Sequence, residues 1–238
     1  MSRLELVLST IVAASLAFGC SAAKRFAYEG FDRDEWQQPE RVIEALALEP
    51  GMQVADVGAG GGYFTFRLAE AVGPTGRVYA VDVDEDMTGY LEERVQDEGW
   101  KNVSVILGRF EDPLLPDGRI DLVFTANVYH HVENRVDYFR SLRNDLAPGG
   151  RVAIVELAEG PFLARDHFTP ADVIVQEMAE AGYEKIERFD FIEEQSFQIF
   201  RPDPTPDPTP APAPTLAPAP APPPVPARAP APPASPSE

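Results

Sequence analysis

Cysteine and histidine are scarce in this chain of 238 residues, which contains one cysteine and three histidines. A single cysteine cannot form a disulfide within the chain, and these few ligands do not make the pattern of a structural zinc site. Basic residues are also few, because 20 lysines and arginines face 39 acidic residues and leave a net charge of −19. Binding to nucleic acids and attraction to anionic lipids both depend on basic patches, so the composition argues against both.

Proline is concentrated at the end of the chain, where 17 of the 25 prolines lie from Pro202 onward. They alternate mainly with alanine, threonine and aspartate, so this tail has little to bury and few backbone N–H donors. Such a composition predicts a disordered segment over residues 202–238 with polyproline II character. A spacer is the simpler interpretation, and a ligand for a proline-recognition domain is the alternative.

The first 20 residues are predicted to be a secretion leader. Arg3 supplies a positive charge, and the uncharged run Leu6–Gly19 has the length of a signal-peptide core but is short for a bilayer-spanning helix. The run ends next to Cys20, in a sequence that resembles the cleavage box of bacterial lipoproteins. The resemblance implies a lipidated Cys20 and a protein tethered in the cell envelope. An unmodified cysteine after an ordinary signal, or a cytoplasmic protein, is the alternative.

Residues 34–201, preceded by a linker at 21–33, are predicted to form one domain in which strands alternate with amphipathic helices. Strand patterns cover 53–57, 77–81, 103–107, 120–125, 151–157, 185–192 and 196–200. Helical patterns cover 39–48, 64–72, 87–99, 134–146 and a stretch that begins with a Thr169 N-cap. The alternation predicts an α/β, Rossmann-like, doubly wound and mostly parallel sheet with its ligand at the carboxyl ends of the strands. Because no helix separates the last two strands, one of them is predicted to run antiparallel.

A glycine-rich turn, Gly58-Ala-Gly-Gly-Gly62, follows the first predicted strand, which contains Asp56. Glycine lets the backbone approach a ligand closely, and the helix that follows offers free N–H groups. A dinucleotide fingerprint would have glycine or alanine where Tyr63 stands, and a Walker loop would continue with Gly-Lys-Ser/Thr, so the turn fits neither class. Asp82, after the second strand, can accept hydrogen bonds from both hydroxyls of a ribose.

Several spaced motifs carry a family resemblance that spans about residues 36–201. They are Asp56-x-Gly58-x-Gly60-x-Gly62, Asp82, Asp121-Leu-Val-Phe124 and Leu146-x-Pro148-Gly149-Gly150. Together they resemble class I S-adenosylmethionine-dependent methyltransferases, most closely the small-molecule group that includes the ubiquinone and menaquinone methyltransferases. The resemblance implies seven strands in the order 3-2-1-4-5-7-6 with strand seven antiparallel. It also implies adenosylmethionine as cofactor and a small molecule as methyl acceptor, and no protein partner is predicted.

The resemblance further implies which residues bind the cofactor. Gly58, Ala59 and Gly60 would pass under its amino-acid part. Asp56 would hold the turn and the cofactor's ammonium group, and Asp82 would bind the ribose. The other predicted contacts are Gly62, Val83, Arg109, Phe110, Glu111 and Asn127. Since Arg109 stands where quinone-type members commonly carry an acid, Glu111 or a backbone group is expected to serve the adenine edge.

Methyl transfer requires chiefly that the nucleophile be aligned with the methyl group and that water be excluded, so few catalytic groups are expected. The candidates follow the fourth strand: His130 as a general base and Tyr129 as a substrate contact, with neighbouring His131 as a further candidate. One histidine ring can instead pack or orient the loop. Trp36 and Gln37 either form a lid over the cofactor or only pack.

The sequence thus predicts an adenosylmethionine-dependent methyltransferase that acts on a small molecule. Amino-methylating enzymes carry Asn-Pro-Pro-Tyr where this chain has Ala126-Asn-Val-Tyr129, which argues further against nucleic-acid substrates. The leader implies export, whereas the cofactor is made in the cytoplasm. The alternative is therefore an exported lipoprotein with a methyltransferase fold that binds a nucleoside-like ligand or a partner without turnover.

Overall fold

The computed structural model describes residues 33–157 and 168–204. The helices are α1 (Arg33–Gln37), α2 (Pro39–Ala45), α3 (Thr65–Val72), α4 (Glu85–Asp97), α5 (Arg135–Leu142) and α6 (Ala171–Glu180). The strands are β1 (Gln53–Val57), β2 (Arg77–Asp82), β3 (Val103–Leu107), β4 (Ile120–Ala126), β5 (Leu146–Leu157), β6 (Tyr183–Phe189) and β7 (Gln195–Pro202). Among these residues no helix is long and apolar enough to cross a membrane.

The strands form one sheet in the order β3-β2-β1-β4-β5-β7-β6. The first five pair in parallel, and β7 runs antiparallel to both β5 and β6. The predicted fold and strand order are therefore confirmed. Residues 190–194 join β6 to β7 without a helix, and so short a connection can only reverse the chain direction. β1 lies between β2 and β4, so the carboxyl ends of these three strands meet at one edge of the sheet.

Apolar side chains on both faces of the sheet hold the helices in place. Phe124 of β4 points to the face covered by α3, whereas its neighbour Val123 points to the face covered by α5 and α6. Phe64 ends the glycine turn with its ring 4.8 Å from that of Phe124, and its exposed fraction is 3%. This contact anchors the turn in the core, which fixes where the following helix begins.

The predicted boundary between α5 and β5 is wrong. Helix α5 ends at Leu142 instead of continuing to Leu146, and β5 begins at Leu146 instead of Arg151. Backbone N–H groups of the loop before β4 account for the early end, because they bond to the residues that follow α5. Gly118 donates to the carbonyl of Asn144 at 2.8 Å, and Ile120 donates to that of Asp145 at 2.9 Å.

The predicted N-cap at Thr169 is also wrong. Helix α6 begins at Ala171, Pro170 occupies the N-cap position, and no side chain caps the helix. Pro170 has an extended ψ of 142°, so the chain turns into the helix one residue later than predicted. Thr169 is buried instead.

The predictions for both termini lie outside the described residues. They include the leader, the lipidated Cys20, the envelope location and the tail beyond Pro204, all of which stay predictions. Pro202, the first residue of the predicted tail, belongs to β7, and the backbone N–H of Asp203 still donates to the carbonyl of Gly182 at 2.9 Å.

Candidate functional site

The glycine turn is fastened to the carboxyl end of β2. The backbone N–H groups of Gly58 and Ala59 donate to the carbonyl of Val81 at 2.8 and 3.0 Å. The N–H of Gly60 donates to a carboxylate oxygen of Asp82 at 2.8 Å. The other carboxylate oxygen accepts the N–H of Asp84 at 3.0 Å, so Asp82 orders both the turn and the start of α4.

Gly58 is required by its surroundings as well as by its conformation. Its φ is +79°, a left-handed value that disfavours side chains. A Cβ at this position would lie 2.2 Å from a methyl carbon of Val128, the residue that crosses the turn from the end of β4. The close approach of Val128 to the backbone of Gly58 forms the floor of the cleft.

Two cavities open on this floor, and Gly58, Asn127 and Val128 line both of them. The first cavity measures about 190 Å³ and is lined by Arg33, Trp36, Asp56, Gly58, Ala59, Gly60, Gly61, Tyr63, Phe64, Ala126, Asn127 and Val128. The second cavity measures about 320 Å³ and is lined by Val57, Gly58, Val81, Asp82, Val83, Arg109, Phe110, Asn127, Val128, His131, Val132 and Tyr138.

The first cavity contains one acidic side chain, that of Asp56, and one basic side chain, that of Arg33. Asp56 ends there with an exposed fraction of 3%, and the Thr65 hydroxyl donates to it at 2.6 Å. Burial raises the pKa of Asp56 to about 6, although the Thr65 hydroxyl and the Arg33 guanidinium oppose that rise. Burial also lowers the pKa of Arg33. The cavity can therefore hold a ligand that carries a cation and an anion close together.

The Asp56→Asn variant is expected to gain stability relative to the wild type as the pH rises. The native carboxyl has a pKa of about 6 against an ordinary value of 3.8. The native state therefore holds the proton more tightly, and the resulting stabilisation is lost as the pH rises through about 6. Asparagine does not titrate, so the wild type should lose about 2 kcal/mol of unfolding free energy relative to the variant between pH 4.5 and 8. Urea denaturation at both pH values measures this change, and a difference that does not vary with pH would contradict it.

The second cavity combines one carboxylate with an apolar rim. Asp82 is 8% exposed, whereas Val83 and Phe110 beside it are 42% and 63% exposed. A carboxylate offers about four acceptor positions, and backbone N–H groups take two of those on Asp82. The other positions suit a pair of hydroxyls, and the exposed apolar side chains suit a flat ring. Arg109 also lines this cavity.

Four of the predicted site residues, Gly62, Glu111, Tyr129 and His130, lie outside both cavities. Gly62 packs instead against α4, where a Cβ would lie 2.6 Å from a methyl carbon of Leu91. Glu111 lines a separate acidic hollow together with Asp112 and Asp145. Tyr129, 1% exposed, stacks on Phe139 and donates its hydroxyl to Glu177 at 2.8 Å. In this arrangement the side chain of Tyr129 packs in the core, and its role as a substrate contact stays a prediction.

His130 forms a buried pair with Glu156 at the end of β5. Its Nδ1 lies 2.9 Å from one carboxylate oxygen, and the side chains are 5% and 0% exposed. Since a carboxylate only accepts, Nδ1 carries the proton in this contact. The second oxygen of Glu156 accepts the backbone N–H of His130 at 3.2 Å. The pair fixes the orientation of the ring, which lies against that of His131 with 4.0 Å between centroids.

Helix α1 closes one side of the first cavity and is held there by Tyr63. The Tyr63 hydroxyl donates to Asp34 at 2.6 Å, and the guanidinium carbon of Arg33 lies 3.8 Å from the centre of its ring. Arg67 joins the same group by donating to Asp34 at 3.1 Å. Tyr63, the residue that excluded a dinucleotide fingerprint, thus docks a helix onto the glycine turn.

Reasoning from sequence missed Arg33 and Glu156. Glu156 had a signal like that of Asp56, since both are acids in apolar strands that end at the same edge of the sheet. Arg33 had none, because nothing in the sequence connects it with the glycine turn 25 residues away. Of the two residues that could form a lid or only pack, Trp36 lines the first cavity, whereas Gln37 is wholly buried and lines neither cavity.

Comparison with known proteins places these features in a family. Residues 48–188 match the family described as a methyltransferase domain. Over 130 residues the chain is 33% identical to a ubiquinone/menaquinone biosynthesis C-methyltransferase of Ectopseudomonas mendocina, which covers 53% of this chain and 51% of that protein. It is 28% identical over 194 residues to an arsenite methyltransferase of Halobacterium salinarum, covering 76% of this chain and 45% of that protein.

A solved structure shows the same likeness. The SAM-dependent methyltransferase from Aquifex aeolicus matches with a TM-score of 0.70 and 27% identity, over 75% of this chain and 96% of that one. The chain spans about half the length of the two curated relatives named above.

Proposed function

Because the chain belongs to the methyltransferase domain family, we propose that it binds adenosylmethionine in the two cavities and transfers its methyl group to a small molecule. One observation carries the proposal. The cavities meet at Gly58, with the carboxylate of Asp56 in the first and that of Asp82 in the second. This spacing suits a ligand with an amino acid at one end and a nucleoside at the other.

The residues present fit such a ligand. In the first cavity Asp56 is the acceptor for an ammonium group, and the bare backbone of Gly58 and Gly60 lets a chain lie close against the turn. In the second cavity Asp82 is the acceptor for ribose hydroxyls, and Val83 and Phe110 cover an aromatic ring. When bound, adenosylmethionine supplies an electrophilic methyl group on a positively charged sulfur.

The contribution of the protein is positioning. Asn127 and Val128 line both cavities, so they lie where the two ends of the ligand would meet. Alignment of two reactants in one site can supply much of the rate increase without a dedicated catalytic group. His130 is the candidate to take a proton from the acceptor, because Glu156 orients its ring against that of His131, which lines the second cavity.

The acceptor is best sought among organic molecules. Trivalent arsenic, the substrate type in the name of one relative, prefers several soft thiolate ligands, and this chain has only Cys20. A small organic acceptor agrees with the net charge of −19, which disfavours polyanionic substrates. Binding without turnover, the alternative, gains no support from the cleft, because acids suited to both ends of the cofactor are in place.

Calorimetry with S-adenosylhomocysteine and a search for methyl transfer would test the proposal. The purified chain is expected to bind S-adenosylhomocysteine, and methyl-labelled adenosylmethionine should pass its label to a component of a small-molecule cell extract. If the folded protein bound neither compound, the proposed function would be wrong. Binding without transfer to any extract would favour the alternative of a protein that binds without turnover.

Replacing His130 with glutamine is expected to slow methyl transfer about 100-fold or more, since loss of a general base commonly has that effect. The affinity for S-adenosylhomocysteine should change less than about twofold, because the His130 ring lines neither cavity. Initial rates with the labelled extract component and calorimetry measure the two effects. A variant with a lower melting temperature but an unchanged rate would show that His130 only packs.

A further inference from the structure

The cation in the first cavity comes from outside the segment that matches the family. Arg33 lies in α1, whereas the match begins at residue 48. Its guanidinium lies over the Tyr63 ring and lines the cavity that also contains Asp56. Asp56 suits an ammonium group, so a cation in the same cavity supplies the complementary group for a carboxylate. This inference rests on the proposed function, because it concerns the amino-acid end of the same ligand.

A chain of hydrogen bonds connects Arg33 to Asn127. The Nε of Arg33 donates to the side-chain oxygen of Gln37 at 2.5 Å. The amide nitrogen of Gln37 donates to the oxygen of Gln195 at 3.1 Å. The amide nitrogen of Gln195 in turn donates to the oxygen of Asn127. Gln37 and Gln195 are 0% and 4% exposed, so the contact between these two side chains is shielded from water.

The direction of this chain follows from chemistry alone. A guanidinium has donors and no acceptor, so the amide oxygen of Gln37 must face Arg33. Its nitrogen then faces Gln195, which must present its oxygen to Gln37 and its nitrogen to Asn127. The orientation of each side-chain amide is thus fixed by its hydrogen bond to the preceding group in the chain. The oxygen of Asn127 therefore faces Gln195, and its NH₂ group lies on the other side of the amide, where it can donate to a ligand.

The backbone supports the same conclusion. Asn127 has a φ of +58°, a left-handed value that asparagine and aspartate tolerate better than most side chains. Its N–H donates to the carbonyl of Val155 at 2.8 Å, which fixes the main chain at the end of β4. Asn127 lines both cavities, so its amide donor lies at their junction.

We propose that Arg33 and the Asn127 amide together bind the carboxylate of the ligand's amino-acid part, opposite Asp56, which binds its ammonium group. Arg33 has two roles in this arrangement. Its charge attracts the carboxylate, and through Gln37 and Gln195 it keeps the amide of Asn127 in the donor orientation. Helix α1 thereby makes the first cavity selective for a complete amino acid.

Two ligands that differ only at this end test the proposal. S-adenosylhomocysteine carries the amino acid, whereas 5′-methylthioadenosine lacks it. The Arg33→Gln and Asn127→Asp variants are each expected to bind S-adenosylhomocysteine about 10- to 100-fold more weakly, because each loses a charge-assisted hydrogen bond. Aspartate keeps the shape of Asn127, its tolerance of positive φ and its acceptor for Gln195. Both variants should bind 5′-methylthioadenosine within about twofold of the wild type.

The chain offers matched controls for both substitutions. Arg41 also lies over an aromatic ring, that of Phe191 at 4.3 Å, and donates to a glutamine, Gln38. Asn134 also has a positive φ, of +48°. Neither lines the two cavities, so Arg41→Gln and Asn134→Asp should leave both affinities unchanged.

The outcomes separate this proposal from the proposed function. If wild-type protein binds both ligands and Arg33→Gln or Asn127→Asp weakens them equally, or weakens neither, the carboxylate assignment is wrong although the cofactor site stands. If wild-type protein binds neither ligand, the proposed function fails and the assignment fails with it. Selective loss of S-adenosylhomocysteine binding in both variants supports the assignment, since a general disturbance of the fold would affect both ligands.

Discussion

Asp82→Ala is expected to weaken binding of S-adenosylhomocysteine by at least about 100-fold. The substitution removes the acceptor for two ribose hydroxyls, and hydrogen bonds to a charged group contribute about 1.5–3 kcal/mol each. It also frees the N–H of Gly60, which Asp82 holds at 2.8 Å, so the glycine turn keeps only the hydrogen bonds of Gly58 and Ala59 to β2. Isothermal titration calorimetry of the folded variant measures the loss.

Asp121→Ala is the matched control for that experiment. Asp121 also accepts a backbone N–H from a neighbouring strand, that of Gln53 at 2.7 Å. Asp121 and Gln53 lie at the amino ends of β4 and β1, respectively, opposite the edge of the sheet that carries the cleft. The two variants should therefore lose similar stability in urea, but Asp121→Ala should keep its affinity for the ligand. If the Asp82→Ala variant bound S-adenosylhomocysteine as tightly as the wild type, Asp82 would not belong to the binding site.

The part of the site that could be predicted is local in sequence. Asp56, Gly58 and Asp82 each end a strand or begin a turn, and the alternation of strands and helices makes the carboxyl ends of β1 and β2 neighbours. No contact between distant segments has to be known for that conclusion. The antiparallel β7 was predictable for a similar reason, because a short connection without a helix permits only a reversal.

The part that could not be predicted depends on contacts between distant segments. Arg33 enters the first cavity only because Tyr63 docks α1, and the amide of Asn127 has its orientation because of Gln195, 68 residues away. Tyr129 looked available at the end of β4, but its side chain turned into the core because Glu177 of α6 accepts its hydroxyl. The sequence pattern of one element does not contain that information.

The same distinction explains the errors in element boundaries. The pattern around residues 143–150 predicted a helix that stops at Pro148-Gly149-Gly150, since proline and glycine commonly end helices. The helix instead ends earlier, where carbonyls of Asn144 and Asp145 accept N–H groups from the loop before β4. A tertiary hydrogen bond thus overrides a local stop signal.

Gly58→Ala is expected to cost about 2–4 kcal/mol of unfolding free energy and to abolish measurable binding of S-adenosylhomocysteine. Two effects add. The backbone has a φ of +79°, which costs an alanine about 1–2 kcal/mol, and the new Cβ would lie 2.2 Å from a methyl carbon of Val128. Val128 has to move away, and it lines both cavities, so the cleft changes shape at the junction of its two parts. Urea denaturation and calorimetry measure the two losses.

The double variant Gly58→Ala, Val128→Ala separates these effects. Removing the two methyl carbons of Val128 leaves only its Cβ, 3.0 Å from the position of the new atom, so most of the clash disappears while the unfavourable φ remains. The double variant should therefore be more stable than the sum of the single changes predicts, by about 1–2 kcal/mol. Simple additivity would mean that Val128 does not press on the turn and that the penalty at position 58 is conformational alone. A further result is that the two stability changes are non-additive while the double variant still fails to bind S-adenosylhomocysteine. That result would show that the side chain of Val128 itself, and not only the space above Gly58, shapes the cleft.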